Sequence, residues 1–575
     1  MRLTVRPARV SIVVLLLAVG VLSAGAVGAP PAASGPPKRP NIVVIMTDDQ
    51  TVESLRVMKN VKRLLAARGA SFDNSFVSYS LCCPSRATFL TGQYAHNHGV
   101  LSNKPPFGGY ARLRGRSTLP VWLEQAGYET ILVGKYLNGY GDGDPTEIPP
   151  GWTEWHGAVN NSAYQFYNYV LNENGTLVKY GRDPASYQTD VYADKAVDVV
   201  RRRAAEKAPF FLWVTFLAPH IGGPPTPGRS ALTTLPAPRH LGRFDAVALP
   251  TPPSFNELDV SDKPSPIRSR PTLSDEKVAE ITERYRLELE SLLAVDEAVA
   301  RIVAELRRSG ELSHTLIVFT SDNGFLHGEH RIPLGKVWPY EPSSRVPLIM
   351  RGPGIRAGLR LRQSVANIDL APTIVDATGA RAGLTMDGRS LWPLLEDPGI
   401  FWGRDLLHEG PLTDELLSKF AAIRTPSWLY SHRLTGAEEL YDLVQDPYQL
   451  TNLRADSAAL GVRAALSGRL EALRSCRGDV CRRGPDVSVT ARVDGACPGA
   501  TATIALAGAD VAAVDHVRVL SNGELVELVS RAPWELVRPL APQAASLRAH
   551  VVFADGRELT RDVVLPACLP DGDSG

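Results

Sequence analysis

Three long apolar runs constrain the fold of this chain more than any other feature of its sequence. Residues 41–46, 210–217 and 316–320 are almost entirely apolar. Continuous runs of this length are typical of strands that are buried on both faces of a mainly parallel sheet. Helices are predicted between them, because Thr118 and Ser274 each precede a segment with apolar residues at helical spacing. The alternation predicts an α/β fold with a large mixed, mostly parallel sheet flanked by helices.

The clearest predicted helix follows Ser274 and carries Asp275 and Glu276 in its first turn. Its apolar residues recur every three or four positions, which predicts one stripe that packs on the sheet as core. The stripe consists of Val278, Ile281, Tyr285, Leu289, Leu292, Val295, Val299 and Ile302. A shorter helical segment is predicted over residues 60–69.

Polar side chains follow each apolar run at the point where the strand should end. Asp48 and Asp49 follow the first run, His220 the second, and Asp322 and Asn323 the third. Ligands of open α/β sheets collect at the carboxyl ends of the strands, so we expect these side chains to lie close together. Their oxygen atoms suit a hard cation such as Ca²⁺, with Mg²⁺ as an alternative. A second interpretation is that an aspartate only caps the following turn.

Residues 82–92, Cys-Cys-Pro-Ser-Arg-Ala-Thr-Phe-Leu-Thr-Gly, are difficult to explain by packing alone. The packing interpretation is a buried cysteine pair at a helix start, with Pro84 in the first turn. The residue order resembles the signature of the type I sulfatases, Cys-x-Pro-Ser-Arg followed by three residues and Leu-Thr-Gly. In that family the first cysteine is oxidised to formylglycine by a maturase before export. The resemblance covers residues 41 to about 481 and implies an alkaline phosphatase-like fold.

The resemblance implies that Cys82 becomes the nucleophile of a sulfuric ester hydrolase. One hydroxyl of the hydrated aldehyde would attack sulfur and the other would later expel sulfate, which splits one displacement into two steps. Arg86 would stabilise the deprotonated diol. Residue 82 would also join the four oxygen-bearing side chains at the strand ends around the cation, which would polarise the sulfate.

Three further residues match positions of the family. Lys135 in Gly-Lys-Tyr resembles the lysine that bridges diol and sulfate. His220 in Ala-Pro-His resembles the histidine that touches the sulfate and the leaving oxygen. Lys336 in Leu-Gly-Lys resembles a second lysine, which would hydrogen-bond the leaving group. Taken singly, each lysine could instead be a solvated surface charge.

One position departs from the family pattern. Many sulfatases carry a histidine two residues after the first lysine to deprotonate the diol, whereas this chain has Leu137 there, followed by Asn138. The base for the elimination step is therefore left open among His98, His327 and His330.

Two strings, Gly-Lys-Tyr-Leu-Asn at 134–138 and Tyr-Ala-His-Asn-His-Gly at 94–99, are similar to the N-acetylglucosamine-6-sulfatase and heparan endosulfatase branch. This similarity implies a sulfated carbohydrate as substrate, with an aryl sulfate as a simpler one. Two other functions stay open as hypotheses. One is a phosphonate or phosphodiester hydrolase of the same superfamily, and the other is a non-catalytic, glycan-binding sulfatase homologue.

The N-terminal residues predict export. Arg2, Arg6 and Arg9 precede an apolar run and then small residues, which is typical of a secretory signal peptide over residues 1–29. The alternative is an uncleaved anchor, although the run is short for a membrane span. We expect a secreted protein without stable membrane insertion, in which residues 30–40 form a linker. The formal net charge of +1 gives no sign of a nucleic-acid partner.

The pattern of apolar and polar residues changes near residue 485. Residues 41–482 are predicted to form the catalytic domain, with a smaller subdomain from about 400 to 482. Residues 485–570 alternate apolar and polar, with hairpin signals at Asn522-Gly523 and Asp555-Gly556, which predicts an immunoglobulin-like β-sandwich. We expect this sandwich to be a structural cap, with glycan binding as the alternative.

Beyond the motif, the chain has an even set of four cysteines, as is common in an oxidising compartment. Three pairings are possible, and we favour Cys476 with Cys481 and Cys497 with Cys568. A zinc site is not expected, because no histidine spacing accompanies them.

The interval between His220 and Ser274 is rich in proline and lacks periodicity. Long loops of this kind are often functional. Its place directly after His220 predicts a wall of the substrate pocket, and a surface loop without that role is the alternative.

Overall fold

The computed structural model describes most of the chain from Arg39 onward. The predicted signal peptide, most of the predicted linker, both predicted hairpin turns and the predicted Cys497–Cys568 pair lie outside the described residues. No described helix combines the length and the apolar character that a membrane span requires. The described ranges are 39–206, 208–223, 233–400, 402–410, 420–483, 487–495, 499–507, 511, 514–521, 524–540, 545–553 and 558–565.

A ten-stranded mixed sheet forms the centre of the fold. The strands up to residue 442 are β1 (Asn41–Asp48), β2 (Ala70–Phe72), β3 (Ser75–Phe76), β4 (Glu129–Gly134), β5 (Glu154–Ala158), β6 (Tyr169–Glu173), β7 (Thr176–Tyr180), β8 (Phe210–Pro219), β9 (Thr315–Ser321), β10 (Leu348–Arg351), β11 (Leu359–Leu361), β12 (Val365–Ala366), β13 (Leu406–Glu409), β14 (Phe420–Arg424), β15 (Trp428–Arg433) and β16 (Glu438–Asp442). The order across the large sheet is β11-β2-β10-β9-β1-β8-β4-β5-β6-β7. Strands β9, β1, β8, β4 and β5 run parallel, whereas β10, β6 and β7 are antiparallel to their neighbours. The predicted mixed sheet with a mainly parallel centre is confirmed.

Helices cover both faces of this sheet. The described helices are α1 (Cys82–Thr91), α2 (Ala95–His98), α3 (Leu119–Gln125), α4 (Gln188–Arg203), α5 (Ser265–Arg268), α6 (Asp275–Arg308), α7 (Glu341–Ser344), α8 (Leu370–Thr378), α9 (Trp392–Glu396), α10 (Leu460–Arg474) and α11 (Asp479–Arg482). Side chains of α4 and α6 pack with Val43 and Ile45 of β1, whereas α1, α3 and α8 pack with Ile42 and Val44 on the other face. Because successive strand residues point to opposite faces and both faces are covered, the central residues of β1, Ile42 to Met46, are all apolar.

Helix α6 is the helix predicted from Ser274. The Ser274 hydroxyl accepts a hydrogen bond from the Lys277 amide at 3.3 Å and caps the first turn. The predicted stripe is buried from Ile281 to Ile302, whereas Val278 in the first turn is half-buried. The prediction of a core helix is therefore confirmed over most of the stripe.

The helical segment predicted over residues 60–69 is confirmed, but it is not a regular α-helix. Val61–Leu65 is a π-helical turn, and Ala66–Arg68 is a 3₁₀ turn. The Asp296 carboxylate on α6 accepts hydrogen bonds from the first two amides of the segment, Asn60 and Val61, at 2.9 and 2.8 Å. A tertiary contact therefore satisfies the first two backbone amides of this segment. The local spacing of apolar residues does not decide its helix type.

The C-terminal part of the chain is built from antiparallel sheets. Strands β13 to β16 form one sheet that shares a core with α10, and Cys476 forms the favoured disulfide with Cys481. The last strands are β17 (Ser488–Asp494), β18 (Thr501–Ala507), β19 (Val514–Ser521), β20 (Glu524–Val529), β21 (Glu535–Pro539), β22 (Ala545–Phe553) and β23 (Glu558–Leu565). They form the sheets β17-β18-β21 and β20-β19-β22-β23 around one apolar core, so the predicted all-β region is confirmed.

The buried ion pair between Arg404 and Asp369 should contribute strongly to stability, since both side chains are 0% exposed. We expect Arg404→Met to lower the free energy of unfolding by about 3–5 kcal/mol, because the Asp369 carboxylate would stay buried without its counter-charge. Arg301→Met is the control, because Arg301 and Asp194 pair with side chains 44% and 64% exposed, and it should cost less than about 1 kcal/mol. Urea unfolding measures both variants. Equal shifts of the two unfolding midpoints would contradict the expectation.

Candidate active site

The register of four parallel strands brings the predicted site residues to one edge of the sheet. Strand β1 lies between β9 and β8, and β4 lies beyond β8. β1 ends at Asp48, and β9, β8 and β4 end directly before Asp322, His220 and Lys135. Pairing is in register along all three interfaces, apart from one shift at the end of β1. The four polar residues therefore leave neighbouring strand ends, where ligands of such sheets bind.

Asp49 has a backbone conformation that is uncommon for a residue other than glycine, with φ 67°. Its amide lies 3.3 Å from Asp322 Oδ1, and its Oδ1 accepts a hydrogen bond from Asn323 Nδ2 at 2.6 Å. All three side chains are buried. Strained backbone of this kind persists only where surrounding contacts hold it, and it is concentrated at functional sites.

Cys82 is the first residue of α1 and lies beside these carboxylates. Its Sγ is 3.5 Å from Asp48 Oδ1 and 2.8 Å from Lys336 Nζ. Burial, together with the charge of Asp48, raises the pKa of the Cys82 thiol to about 12. An unmodified Cys82 is therefore a protonated thiol and a poor nucleophile at neutral pH. Cys83 lies instead in the apolar core formed with α3 and α8.

Arg86, one turn further along α1, connects three strand ends. Its guanidinium donates to Asp322 Oδ2 at 2.8 Å, to Asp48 Oδ2 at 3.2 Å and to the Lys135 carbonyl oxygen at 2.7 Å. Burial alone would lower the pKa of Arg86, but the charges of Asp322 and Asp48 raise it above its ordinary value. Arg86 is therefore a fixed positive charge between two buried carboxylates.

Two lysines bring further positive charge to the same place. Lys135 pairs with Asp48, and Lys336 pairs with Asp49. The loop before Lys336 is closed by backbone hydrogen bonds between Leu326 and Gly335. Burial alone would lower the pKa of each lysine, but the paired aspartate raises it above the ordinary value. Both ammonium groups are therefore charged at neutral pH.

His220 faces the same centre from the end of β8. Its Nε2 lies 3.6 Å from Asp49 Oδ2, and its Nδ1 lies 2.6 Å from the Ile221 carbonyl oxygen, which can only accept a hydrogen bond. Burial lowers the pKa of His220, and Asp49 and Asp48 oppose this effect. The imidazole packs against Tyr164, a site residue that no surrounding sequence motif indicates.

The donor atoms of this centre fit a cation. Four side chains offer ligand atoms that lie within 4.8 Å of one another: Asp48, Asp49, Cys82 and His220. The Lys336 ammonium lies among these atoms, in contact with Asp49 and Cys82, so the geometry stabilises a positive charge there. Burial, together with the charge of Asp48, raises the pKa of Asp322 to about 6. An additional positive charge would stabilise the ionised form of this carboxyl, and oxygen-rich donors suit a hard cation.

The structure thus brings together every residue predicted for the site: Asp48, Asp49, Cys82, Arg86, Lys135, His220, Asp322, Asn323 and Lys336. Cys82 lies next to the acidic groups, as the sulfatase resemblance requires. Such a centre can bind an anion between fixed positive charges beside a cation. The catalytic and metal-binding roles of the single residues stay predictions.

The three histidines considered as the base lie elsewhere. His98 Nε2 is 3.1 Å from Thr88 Oγ1, His327 pairs with a glutamate of α6 at 2.7 Å, and His330 pairs with Glu257 at 2.6 Å. Within the described ranges, none of the three contacts Cys82 or the carboxylates beside it. For His327 and His330, sequence spacing cannot show this, because their glutamate partners lie 39 and 73 residues away in the chain.

Part of the Pro-rich interval lines a cavity of about 660 Å³. Leu249, Pro252 and Ser254 contribute to one wall. Thr51 and Phe325 also line this cavity. Thr51 lies two residues after Asp49, and Phe325 lies two residues after Asn323. The interpretation of the interval as a wall of the substrate pocket stays a prediction.

Comparison with family models and with curated proteins gives matches over most of the chain. A model described as "Sulfatase" matches residues 40–380, and one described as "N-sulphoglucosamine sulphohydrolase, C-terminal" matches residues 328–476. The N-acetylglucosamine-6-sulfatase of Capra hircus is 33% identical over 503 residues, which cover 80% of this chain and 87% of the relative. The extracellular sulfatase SULF-1 homolog of Drosophila melanogaster is 38% identical over 368 residues, which cover 62% of this chain and 31% of that protein.

A solved structure gives a match over a similar share of the chain. It is described as a complex with its substrate, D-glucosamine-2-N,6-O-disulfate. The TM-score is 0.65 and the identity 27%, over 76% of this chain and 97% of the other.

Proposed function

The chain belongs to the sulfatase family, and we propose that it hydrolyses the 6-O-sulfate ester of a sulfated amino sugar such as N-acetylglucosamine 6-sulfate. The proposal rests above all on the meeting of Cys82 with three carboxylates and three fixed positive charges at adjacent strand ends. The relative named for N-acetylglucosamine 6-sulfate and the solved complex with a 6-O-sulfated glucosamine support the substrate class.

The nucleophile and the cation are part of the same proposal. We infer that a maturase converts Cys82 to formylglycine during export, and that the cation is Ca²⁺ rather than Mg²⁺. When both are in place, they supply a hydrated aldehyde whose hydroxyl attacks sulfur and a positive charge that polarises the sulfate group. The residues that would hold the cation are Asp48, Asp49, Asp322, Asn323 and the modified residue 82.

The charged side chains of the site have distinct parts in this reaction. Arg86 keeps Asp48 and Asp322 oriented, because its guanidinium bonds to both. Lys135 would bridge the diol and the sulfate, and Lys336 would hydrogen-bond the leaving group, so both ammonium groups would stabilise the negative charge that grows on the ester as it reacts. Lys336 Nζ lies 2.8 Å from Cys82 Sγ, so its ammonium group is close to the reacting centre.

His220 is the histidine of the proposed reaction. Its Nδ1–H donates to the Ile221 carbonyl oxygen, which leaves Nε2 directed toward Asp49 and the reacting centre. Nε2 is therefore the atom that would exchange a proton with a substrate oxygen. Because the other candidate histidines are paired elsewhere, we assign the proton transfers of the site to His220.

Parallel kinetics test the reaction class. We expect kcat/KM to be higher for N-acetylglucosamine 6-sulfate and p-nitrophenyl sulfate than for p-nitrophenyl phosphate, its diester or a phosphonate ester. Among sugars, we expect the 6-O-sulfate to be preferred to 2-O-, 3-O- and N-sulfates. Faster turnover of a phosphate diester or phosphonate would assign the chain to the alternative hydrolase class. Absence of turnover on all esters, with residue 82 converted, would favour the glycan-binding alternative.

The proposal also includes export of the protein and its division into domains. We propose that residues 1–29 direct export and that the protein is secreted, which the extracellular sulfatase relative supports. We also retain residues 41–482 as the catalytic domain and residues 485–570 as a structural cap. N-terminal sequencing of protein from the culture medium tests the export: a mature chain that begins after residue 26 to 29 is expected, and an intact Met1 on secreted protein would contradict it.

A further inference from the structure

Tyr164 contacts two of the residues that the proposed reaction needs. It ends a 3₁₀ helix, Asn160–Tyr164, between β5 and β6. Lys135 Nζ lies 4.3 Å from the centre of its ring. The ring centre also lies 5.1 Å from that of His220, at an interplanar angle of 47°. One aromatic ring therefore contacts both the ammonium and the imidazole that face the reacting centre.

We propose that Tyr164 is a positioning residue, which holds Lys135 and His220 in the geometry that sulfate transfer requires. This inference rests on the proposed function, because both partners are assigned to the reaction there. Tyr164 itself need not touch the substrate.

The ring restricts the two partners in different ways. The Lys135 ammonium has one carboxylate partner, Asp48, and a flexible stem, so a second contact is needed to fix its direction. The electron-rich face of a phenol ring attracts an ammonium group and supplies this contact. For His220, the hydrogen bond from Nδ1 fixes one ring edge, and packing against Tyr164 fixes the plane of the ring.

Tyr164 is itself held from two sides. Asn138 Nδ2 donates a hydrogen bond to the Tyr164 hydroxyl, and the Tyr164 carbonyl oxygen accepts one from the Gly223 amide at 2.8 Å. The segment after His220 is thereby tied to the 3₁₀ helix. Gly222 permits this close approach, because a Cβ at this position would lie only 2.8 Å from the backbone carbonyl oxygen of Tyr164.

The same arrangement gives a role to the sequence around Lys135. Leu137 is 4% exposed and packs in the apolar core on the α1 side of the sheet, so it does not contribute a polar group to the site. Asn138, the next residue, contributes its amide to Tyr164 instead. Asn138 therefore acts on the reaction through Tyr164.

Tyr164→Leu is the main test, because it removes the ring and keeps an apolar side chain. We expect kcat to fall by about 10-fold to 100-fold, the loss typical of a small misplacement of catalytic groups. KM should change less. The loss should be larger for a sugar sulfate than for p-nitrophenyl sulfate, because a poor leaving group depends more on His220. Tyr164→Phe keeps the ring, so a smaller loss of about threefold is expected.

Tyr167→Leu is the matched control, since Tyr167 packs on Tyr187 in the same region. It should leave kcat and the ratio between the two substrates unchanged. Asn138→Ala is a second test if Tyr164→Leu folds poorly. We expect its kcat to fall as well, and to fall more for the sugar sulfate than for p-nitrophenyl sulfate. An unchanged substrate ratio in both variants would overturn the proposal. Failure of the proposed function can be told apart from failure of this inference. In that case the protein without any substitution would itself hydrolyse no sulfate ester.

Discussion

Replacing Cys82 with serine should lower kcat/KM for sulfate esters by about 10⁴-fold or more, the size of loss seen when an enzyme loses its nucleophile. Serine can attack sulfur, but it cannot form the hydrated aldehyde whose second hydroxyl expels the sulfate. The change is nearly isosteric, and Cys82 is 1% exposed next to polar groups, so the fold should persist. Steady-state kinetics on N-acetylglucosamine 6-sulfate and p-nitrophenyl sulfate measure the loss.

Cys83→Ser is the matched control for this experiment. Cys83 is also buried, but it lies in the apolar core away from the carboxylates. The buried serine hydroxyl should lower the free energy of unfolding by about 1–3 kcal/mol. The kcat per folded molecule should stay close to that of the protein without substitutions. Activity of Cys82→Ser within tenfold of the original would contradict the proposed nucleophile.

Asp48→Asn should produce the second largest effect, a fall in kcat/KM of about 10³-fold. Asp48 pairs with Lys135 and Arg86, lies beside Cys82 and is a proposed cation ligand. Burial would raise the pKa of Asp48, but the charges of Lys135, His220 and Arg86 hold it well below its ordinary value, so the wild-type group is ionised. The amide loses this charge. We also expect a higher Ca²⁺ concentration for half-maximal activity.

The control for Asp48→Asn is the same change at Asp296. That carboxylate is 5% exposed and accepts backbone hydrogen bonds from residues 60 and 61, outside the site. Asp296→Asn should lower the unfolding midpoint without changing the Ca²⁺ dependence. If Asp48→Asn leaves the Ca²⁺ dependence unchanged as well, Asp48 is not a ligand of the cation.

Local sequence was sufficient to predict the strand ends that carry the site. The centre of a strand buried on both faces is apolar on both sides, so β1 and β9 are visible as the uninterrupted apolar runs 42–46 and 316–319. Asp48, the last residue of β1, and Asp322, directly after β9, then mark the carboxyl edge of the sheet. The signature around Cys82 was equally local, because α1 begins at that residue.

The order of the strands could not be predicted in the same way. Asp322 and Asp48 meet because β9 pairs with β1, and these strands are separated by more than 260 residues. Lys336 reaches Cys82 from a loop whose closure depends on the Leu326–Gly335 backbone pair. Long-range pairing of this kind leaves no periodic signal in the sequence. Only the family resemblance indicated that Lys336 belongs to the site.

Tyr164 and the segment after Asn60 show two further limits. Tyr164 lies in a short 3₁₀ helix, and its contacts with Lys135 and His220 follow from where that helix is placed. The helical segment predicted after Asn60 is present, yet the Asp296 carboxylate accepts hydrogen bonds from its first amides and the segment contains a π-helical turn. In both cases tertiary contacts determine the outcome.

The most direct test of the proposed chemistry is the mass of the tryptic peptide of residues 69–86, which contains both Cys82 and Cys83. In protein that hydrolyses sulfate esters, we predict a mass about 18 Da below that of the unmodified peptide, the change from thiol to aldehyde, with fragment ions that place the loss at residue 82. An active preparation in which Cys82 is still a thiol would contradict the proposed mechanism.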